Sequence, residues 1–352
     1  MPLNVAGWSR SWAAGRRYTM KGICYKNTQT NLPNWAEHDL HDRQIYGYAY
    51  ELDRHFVHVY GQAQGLFIIS HGLTVIERKS GSLTQWVERV FGATDIQPLV
   101  NDVGSTVSGI WRPSLYHSNE IYQGLEVDQY DQRFSEQSLR VLIDRLDEIF
   151  LYVEPNGAGL DAHSHKIREL LILACTEVES HWKELLSKAG AEPQNGRTFT
   201  TNDYVALHGP AHLGEYAVQL RNYRGAPPIR PFSTWNSTAP SASLAWYQAY
   251  NKTKHDRGAH FDEATLRYAI EAVSACVVLC CVRFGPFHLI HDSTSLTALF
   301  KQNFEVSLVD PDITTFYVPL YEFSATTRDD RAIVDPYREK LNKPWQVQAL
   351  VL

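Results

Sequence analysis

The chain has 352 residues, 44% hydrophobic, 12% aromatic and 20% charged, with 33 basic and 39 acidic side chains and a formal charge of −6, a composition of the soluble globular class. A chain this long can bury roughly 75% of its unfolded surface, so it needs neither disulfides nor a structural metal to hold a core. Five cysteines, an odd number with Cys276, Cys280 and Cys281 in one apolar run, point to free thiols in a reducing cytoplasm, and the longest apolar stretch, 273–282, is too short to span a bilayer.

Residues 1–36 carry five basic residues and no acidic one. They lack the apolar core of a secretory signal and read as a basic arm, with Met20 as an alternative start of translation. From 43 to 130 the pattern is mixed. Segments 55–60, 66–69 and 73–76 are β-branched and aromatic, split by Gly61, Gly65 and Gly72, which predicts short strands. Residues 82–91, closed by Gly92, predict one helix. Residues 1–130 are therefore expected to form a mixed α+β domain.

At 131 the periodicity changes. Leu139, Leu142, Ile143, Leu146, Ile149 and Phe150 recur at three and four residues, with Ser135 as the expected cap and Pro155 as the stop. A second amphipathic helix is expected over 162–188, ended by Gly190, and a third from an Asp262 cap to Gly285-Pro286. Between them lie a short element at 203–208, a strand at 216–220, a proline-rich loop and a helix at 243–252. Beyond 287 short strands are expected, such as 314–319, then a polar tail from Ala325. The helical domain is placed at 131–287, with 288–352 as strands and tail.

The chemistry concentrates in 221–257. There Arg221, Arg224, Arg230, Lys252, Lys254 and Arg257 set six positive charges against Asp256 alone, interleaved with Tyr223, Phe232, Trp235, Trp246, Tyr247 and Tyr250. Cations that neutralise phosphate beside rings that stack on bases form a nucleic-acid footprint, which the whole-chain charge of −6 averages away. The alternative is that the rings pack the loop onto the helices. At 250–257, Asn251, Lys254, His255 and Arg257 would gather before the last long helix, whose first amides favour an anion. His255 would move a proton while Lys254 or Arg257 stabilises charge on phosphate. The alternative for this turn is a purely structural tie between two helices.

Helices of alternating direction with Asn251-x-x-x-His255 ahead of the last long helix resemble the HEPN (higher eukaryotes and prokaryotes nucleotide-binding) superfamily, over roughly 135–285. Tyr250 stands where that family usually carries Arg. The resemblance implies an α+β chain with a central HEPN-like α-helical bundle flanked by β-containing N- and C-terminal segments. It also implies an RNA-directed effector, a metal-independent endoribonuclease of prokaryotic antiphage defence or a toxin, working as a cytoplasmic homodimer without a cofactor. The catalytic set would be Asn251, Lys254, His255, Arg257 and Glu179, and the substrate-binding set Tyr250, Trp246, Arg230, Asp256 and His260. Glu179, at the edge of the second helix's buried stripe, needs a partner, and an ion pair to Lys254, His255 or Arg257 is expected; Glu177 reads as surface.

Two other functions stay open: a non-catalytic HEPN-like module that binds protein or nucleotide, and a metal-dependent hydrolase built on the histidines. The pairs His38/His41, His55/His58, His163/His165, His208/His212 and His288/His291 match no known ligand set. No glycine-rich phosphate loop, dinucleotide fingerprint or nucleophile elbow is present, which removes the commonest NTPase, dehydrogenase and hydrolase readings.

Overall fold

A computed structural model describes residues 20–29, 45–223, 225–323 and 330–352, with the Arg257 side chain outside that set. Of the basic arm expected over 1–36, residues 22–26 are instead strand β1, paired on both sides within the main sheet, and 1–19 and 30–36 lie outside the described residues, as do His38, His41 and Arg224. The chain is an α+β mix. Strands β1 (Gly22–Lys26), β2 (Tyr46–Glu51), β3 (His55–Gln62), β4 (Ile68–Arg78), β5 (Thr94–Pro98) and β9 (Ala332–Val334) form one antiparallel sheet in the order β5-β1-β2-β3-β4-β9. Side chains alternate across its faces, as a strand's period of two requires. Tyr25, Ala49, Phe56, Tyr60 and Val75 pack under helix α1 (Leu83–Phe91), while Cys24, Tyr48, Tyr50, Val57 and Ile76 join the main core.

Segments 66–69 and 73–76 are not two strands. Gly72 sits inside a continuous β4, where a Cβ would meet only Asp335, so the glycine relieves no turn. Helix α1 matches its expected span, with a Ser82–Gln85 capping box and Gly92 left-handed at φ 57°. After β6 (Ser105–Val107), helix α2 (Ser118–Leu125) was not legible in the sequence.

Helices α3 (Gln129–Phe150) and α4 (His165–Lys188) are capped by Asp128 and Ser164. Asp128, not Ser135, starts α3. Ser135 is buried a turn and a half inside it, because the residues from Gln129 onward already fit the helix. A short α5 (Thr201–Tyr204) precedes β7 (Tyr216–Leu220), which has the expected bounds. Helix α6 (Ala245–His255) runs through the whole Asn251–His255 segment, and Asp256 joins it to α7 (Arg257–His260). Helix α8 (Leu266–Phe284) is capped by Thr265, whereas Asp262 lies in a single 3-10 turn before it. Every residue from Ala272 to Phe284 is buried, so α8 is the axis of the core rather than a half-exposed helix. No helix among the described residues is long and apolar enough to cross a membrane.

Helices α9 (Phe287–Ile290) and α10 (Ser295–Asn303) lead into β8 (Phe304–Leu308), which pairs antiparallel with β7. The strand expected at 314–319 is instead a 3-10 turn, Ile313–Thr315, held by an Asp312 cap. Residues 330–352 are not a loose tail. Strand β9 extends the main sheet beside β4, β10 (Gln346–Gln348) pairs parallel with β6, and Trp345 and Leu350 are buried.

One buried arginine ties these parts together. Arg112 follows β6, and its side chain is only 1% exposed. It donates to Glu215 Oε2 at 2.6 Å, to the Asp312 carbonyl at 3.2 Å and to Thr315 Oγ1 at 2.7 Å, and its guanidinium lies 5.0 Å from the centre of the Phe316 ring. Burial alone would raise the Glu215 carboxyl, but His212 and Arg112 outweigh it and hold it below the usual carboxylate range. Replacing Arg112 by alanine removes the buried cation that Glu215, the Asp312 carbonyl and Thr315 share and is expected to cost about 3–5 kcal/mol in denaturant unfolding. Removing Arg145, which pairs with Glu169 on the surface, should cost under about 1 kcal/mol.

Candidate functional site

Helix α6 carries half of the sequence-predicted site residues and shows its sides to different environments. Trp246 and Tyr250 are each 1% exposed. Trp246 Nε1 donates to the Pro231 carbonyl at 3.0 Å, and the indole packs with Trp182, Phe232 and Tyr247. These two rings belong to the core and have no free face for a base. Rings at helical spacing between two other helices do bury themselves, and that force has settled their place.

The cations are mostly engaged by the protein. Lys252 Nζ meets Glu263 Oε2 at 2.8 Å, and His260 Nδ1 meets the other oxygen of the same carboxylate at 2.7 Å. Arg230 donates to the Gly214 carbonyl at 2.7 Å, and Arg221 lies 3.4 Å from Glu305. Lys254 Nζ donates to the Tyr250 hydroxyl at 2.6 Å and sits over its ring. Asp256 accepts from Ala259 N as the cap of α7. His255 is exposed at the end of α6 with no hydrogen bond or ion pair among the described residues. Asn251, Lys254 and His255 thus share one face of α6, at spacings of three and four, and do not converge at the start of the last long helix at Leu266; Ser241 engages Asn251 and Tyr250 engages Lys254. The Arg257 side chain lies outside the described residues.

What does come together is Glu179 with Asn251. Both line a cleft of about 560 Å³ between α4 and α6, with Tyr247, Lys183 and the loop carrying Arg197 and Phe199. The expected ion pair of Glu179 is replaced by a neutral partner: Tyr247 Oη donates to Glu179 Oε1 at 2.7 Å. Burial first, then the neighbouring carboxylate, pushes the Tyr247 phenol well above its ordinary value, so it stays protonated and keeps donating. Asn251 Nδ2 donates to Ser241 Oγ at 3.0 Å, and its carbonyl oxygen has no partner among the described residues. Lys183 and Arg197 are exposed at the rim, and neither has an ion pair among the described residues. The reading from sequence missed both. The spacing from Glu179 to Lys183 was the available signal, since residues four apart share one helix face.

Several histidines serve the core. His71 Nε2 lies 2.9 Å from Ser114 Oγ, and Ser114 is held at φ 121°, but both are buried and Tyr337 stacks on the imidazole. His181 meets Arg283, His208 the Phe232 carbonyl, and His288 the Cys280 thiol. No three of His, Cys, Asp and Glu among the described residues group as a metal site. Glu177 is half-buried, 3.7 Å from His181, rather than on the surface. No protein-family model matches the chain, and no curated protein or solved structure matches it either.

Two outcomes follow. Burial lowers His71 to about 3 and His288 to about 4, so below their ordinary value of 6.5 the unfolded chain takes up protons that the folded chain does not. Unfolding free energy should fall as the pH drops from about 6.5 to about 4 in urea titrations. Tyr250→Ala should cost about 3–5 kcal/mol by the same measurement, and His255→Ala under about 0.5 kcal/mol.

Proposed function

We propose that the chain is a HEPN-like, RNA-directed module that holds a nucleotide stretch in the cleft between α4 and α6. The observation that carries this reading is the meeting of Glu179 and Asn251 beside two cations, Lys183 and Arg197, that no carboxylate of the described residues engages. A phosphate takes the two cations at the rim, and the half-buried Phe199 offers a ring to a base. The free Asn251 carbonyl and the Glu179–Tyr247 pair supply fixed acceptors to a base edge or ribose hydroxyl. Helices α3, α4, α6 and α8 pack on one another, and Asn251 and His255 lie one turn apart on α6; both features support the HEPN-like kinship. In this reading binding is the activity, because three of the groups expected to cleave, Glu179, Asn251 and Lys254, are held by Tyr247, Ser241 and Tyr250.

A second reading keeps the endoribonuclease. It rests on His255, exposed and unengaged at the end of α6, where two copies of a homodimer would face one another. RNA cleavage that disappears in His255→Ala would establish it, and a wild-type chain that leaves RNA intact would retire it.

Fluorescence anisotropy with a labelled single-stranded RNA tests the binding reading. Lys183→Ala/Arg197→Ala should weaken binding by about tenfold or more and reduce the slope of log affinity against log salt by about 1.4. His255→Ala should bind like wild type. Unchanged affinity and slope in the double variant would overturn the proposal.

A further inference from the structure

On the other side of α6 lies a second cavity, of about 490 Å³, within the range of small-molecule sites. Its walls are Pro227, Pro228, Leu244, Trp246 and Ile270, so most of what a ligand would touch is apolar. One acidic group interrupts that lining, Glu271 on α8. Its carboxyl has no hydrogen bond or ion pair among the described residues, although it is well withdrawn from water.

The charged groups around Glu271 are accounted for. Arg267, one turn earlier on the same helix, lies 3.1 Å from Asp161, which comes from the 3-10 turn 157–161. Arg230, from the proline loop, is bonded to the Gly214 carbonyl. Helix α6 contributes Ala245 and Trp246 to the wall and β7 contributes Leu220, none of them charged. The two cations already have partners, and the one anion does not. An anionic ligand would therefore meet an unpaired carboxyl, while a ligand that donates to it satisfies that carboxyl.

We propose that this cavity is a binding site for a small apolar amine, with a hydrocarbon or aromatic body against the proline wall and a protonated amine bonded to the Glu271 carboxylate. Burial raises the empty site's Glu271 to about 7, against the pull of Arg267. The amine binds the ionised form, so below that pH it must expel a proton. Affinity then falls as the pH is lowered and levels off above it.

Titration calorimetry with tryptamine and its neutral isostere tryptophol tests the site. At pH 8 the wild-type chain should bind tryptamine at least tenfold more tightly than tryptophol. At pH 6 tryptamine should weaken by about tenfold, with a heat that depends on the buffer's ionisation enthalpy as the released proton is taken up. Glu271→Gln, a neutral isostere of the protonated side chain, should keep the wild-type melting temperature and lose the preference for the amine. If that variant does not fold, the buffer-dependent heat of the wild type decides alone. Equal binding of amine and alcohol, tighter binding of indole-3-acetate, absence of proton release at pH 6, or no binding of either probe at millimolar concentration would each overturn the proposal.

Discussion

The Arg112 guanidinium, removed from water and shared among Glu215, the Asp312 carbonyl and Thr315, joins three stretches of chain that lie far apart in sequence. A buried cation is tolerable only where every neighbouring oxygen is aimed at it, so the loop after β6, the turn before β7 and the 312–316 turn must each hold their shape for the others. The strand pairings repeat the same arrangement. Strand β9 closes on β4 and β10 on β6, so residues beyond 330 complete the sheet and the small parallel pair formed by the first third of the chain.

Around that tie, the core is organised by α8, whose length from Ala272 to Phe284 is wholly buried. A helix apolar on all sides needs neighbours on all sides, and α3, α4 and α6 supply them. The aromatic cluster of Trp182, Trp235, Trp246 and Tyr247 fills the space between α4 and α6. Because these rings occupy the middle of the seam, two hollows are left on either side of α6. One is polar and carries the candidate nucleotide cleft; the other is lined by prolines and holds Glu271.

The long periodic helices were legible because a stripe repeated over five or six turns admits few other solutions, and β7 was legible because its apolar run is bounded by polar turns. Ends were misread where a second capping residue lay nearby: Asp128 wins over Ser135, and Thr265 over Asp262, since each sits where the helical backbone starts rather than where the apolar stripe does. Composition pointed to α6 but not to which of its side chains the packing would take up. Counting charges in 221–257 could not show that Lys252 and His260 share Glu263, or that Trp246 and Tyr250 face inward. That Glu179 and Asn251 line one cleft depended on tertiary packing of α4 on α6, which no local spacing encodes, and the ion pair expected of Glu179 is replaced by the hydrogen bond from Tyr247.

Labour is divided along α6: its aromatic positions hold the fold, and Asn251 lines, with Glu179, the cleft rimmed by Lys183 and Arg197. Photocrosslinking of a 4-thiouridine-bearing single-stranded RNA, with the adducts mapped by mass spectrometry, tests this most directly. The account predicts adducts on Phe199 and its neighbours in 197–201 and at Lys183. Adducts confined to 221–235 or to the His255 end of α6, or none above a competitor control, would contradict it.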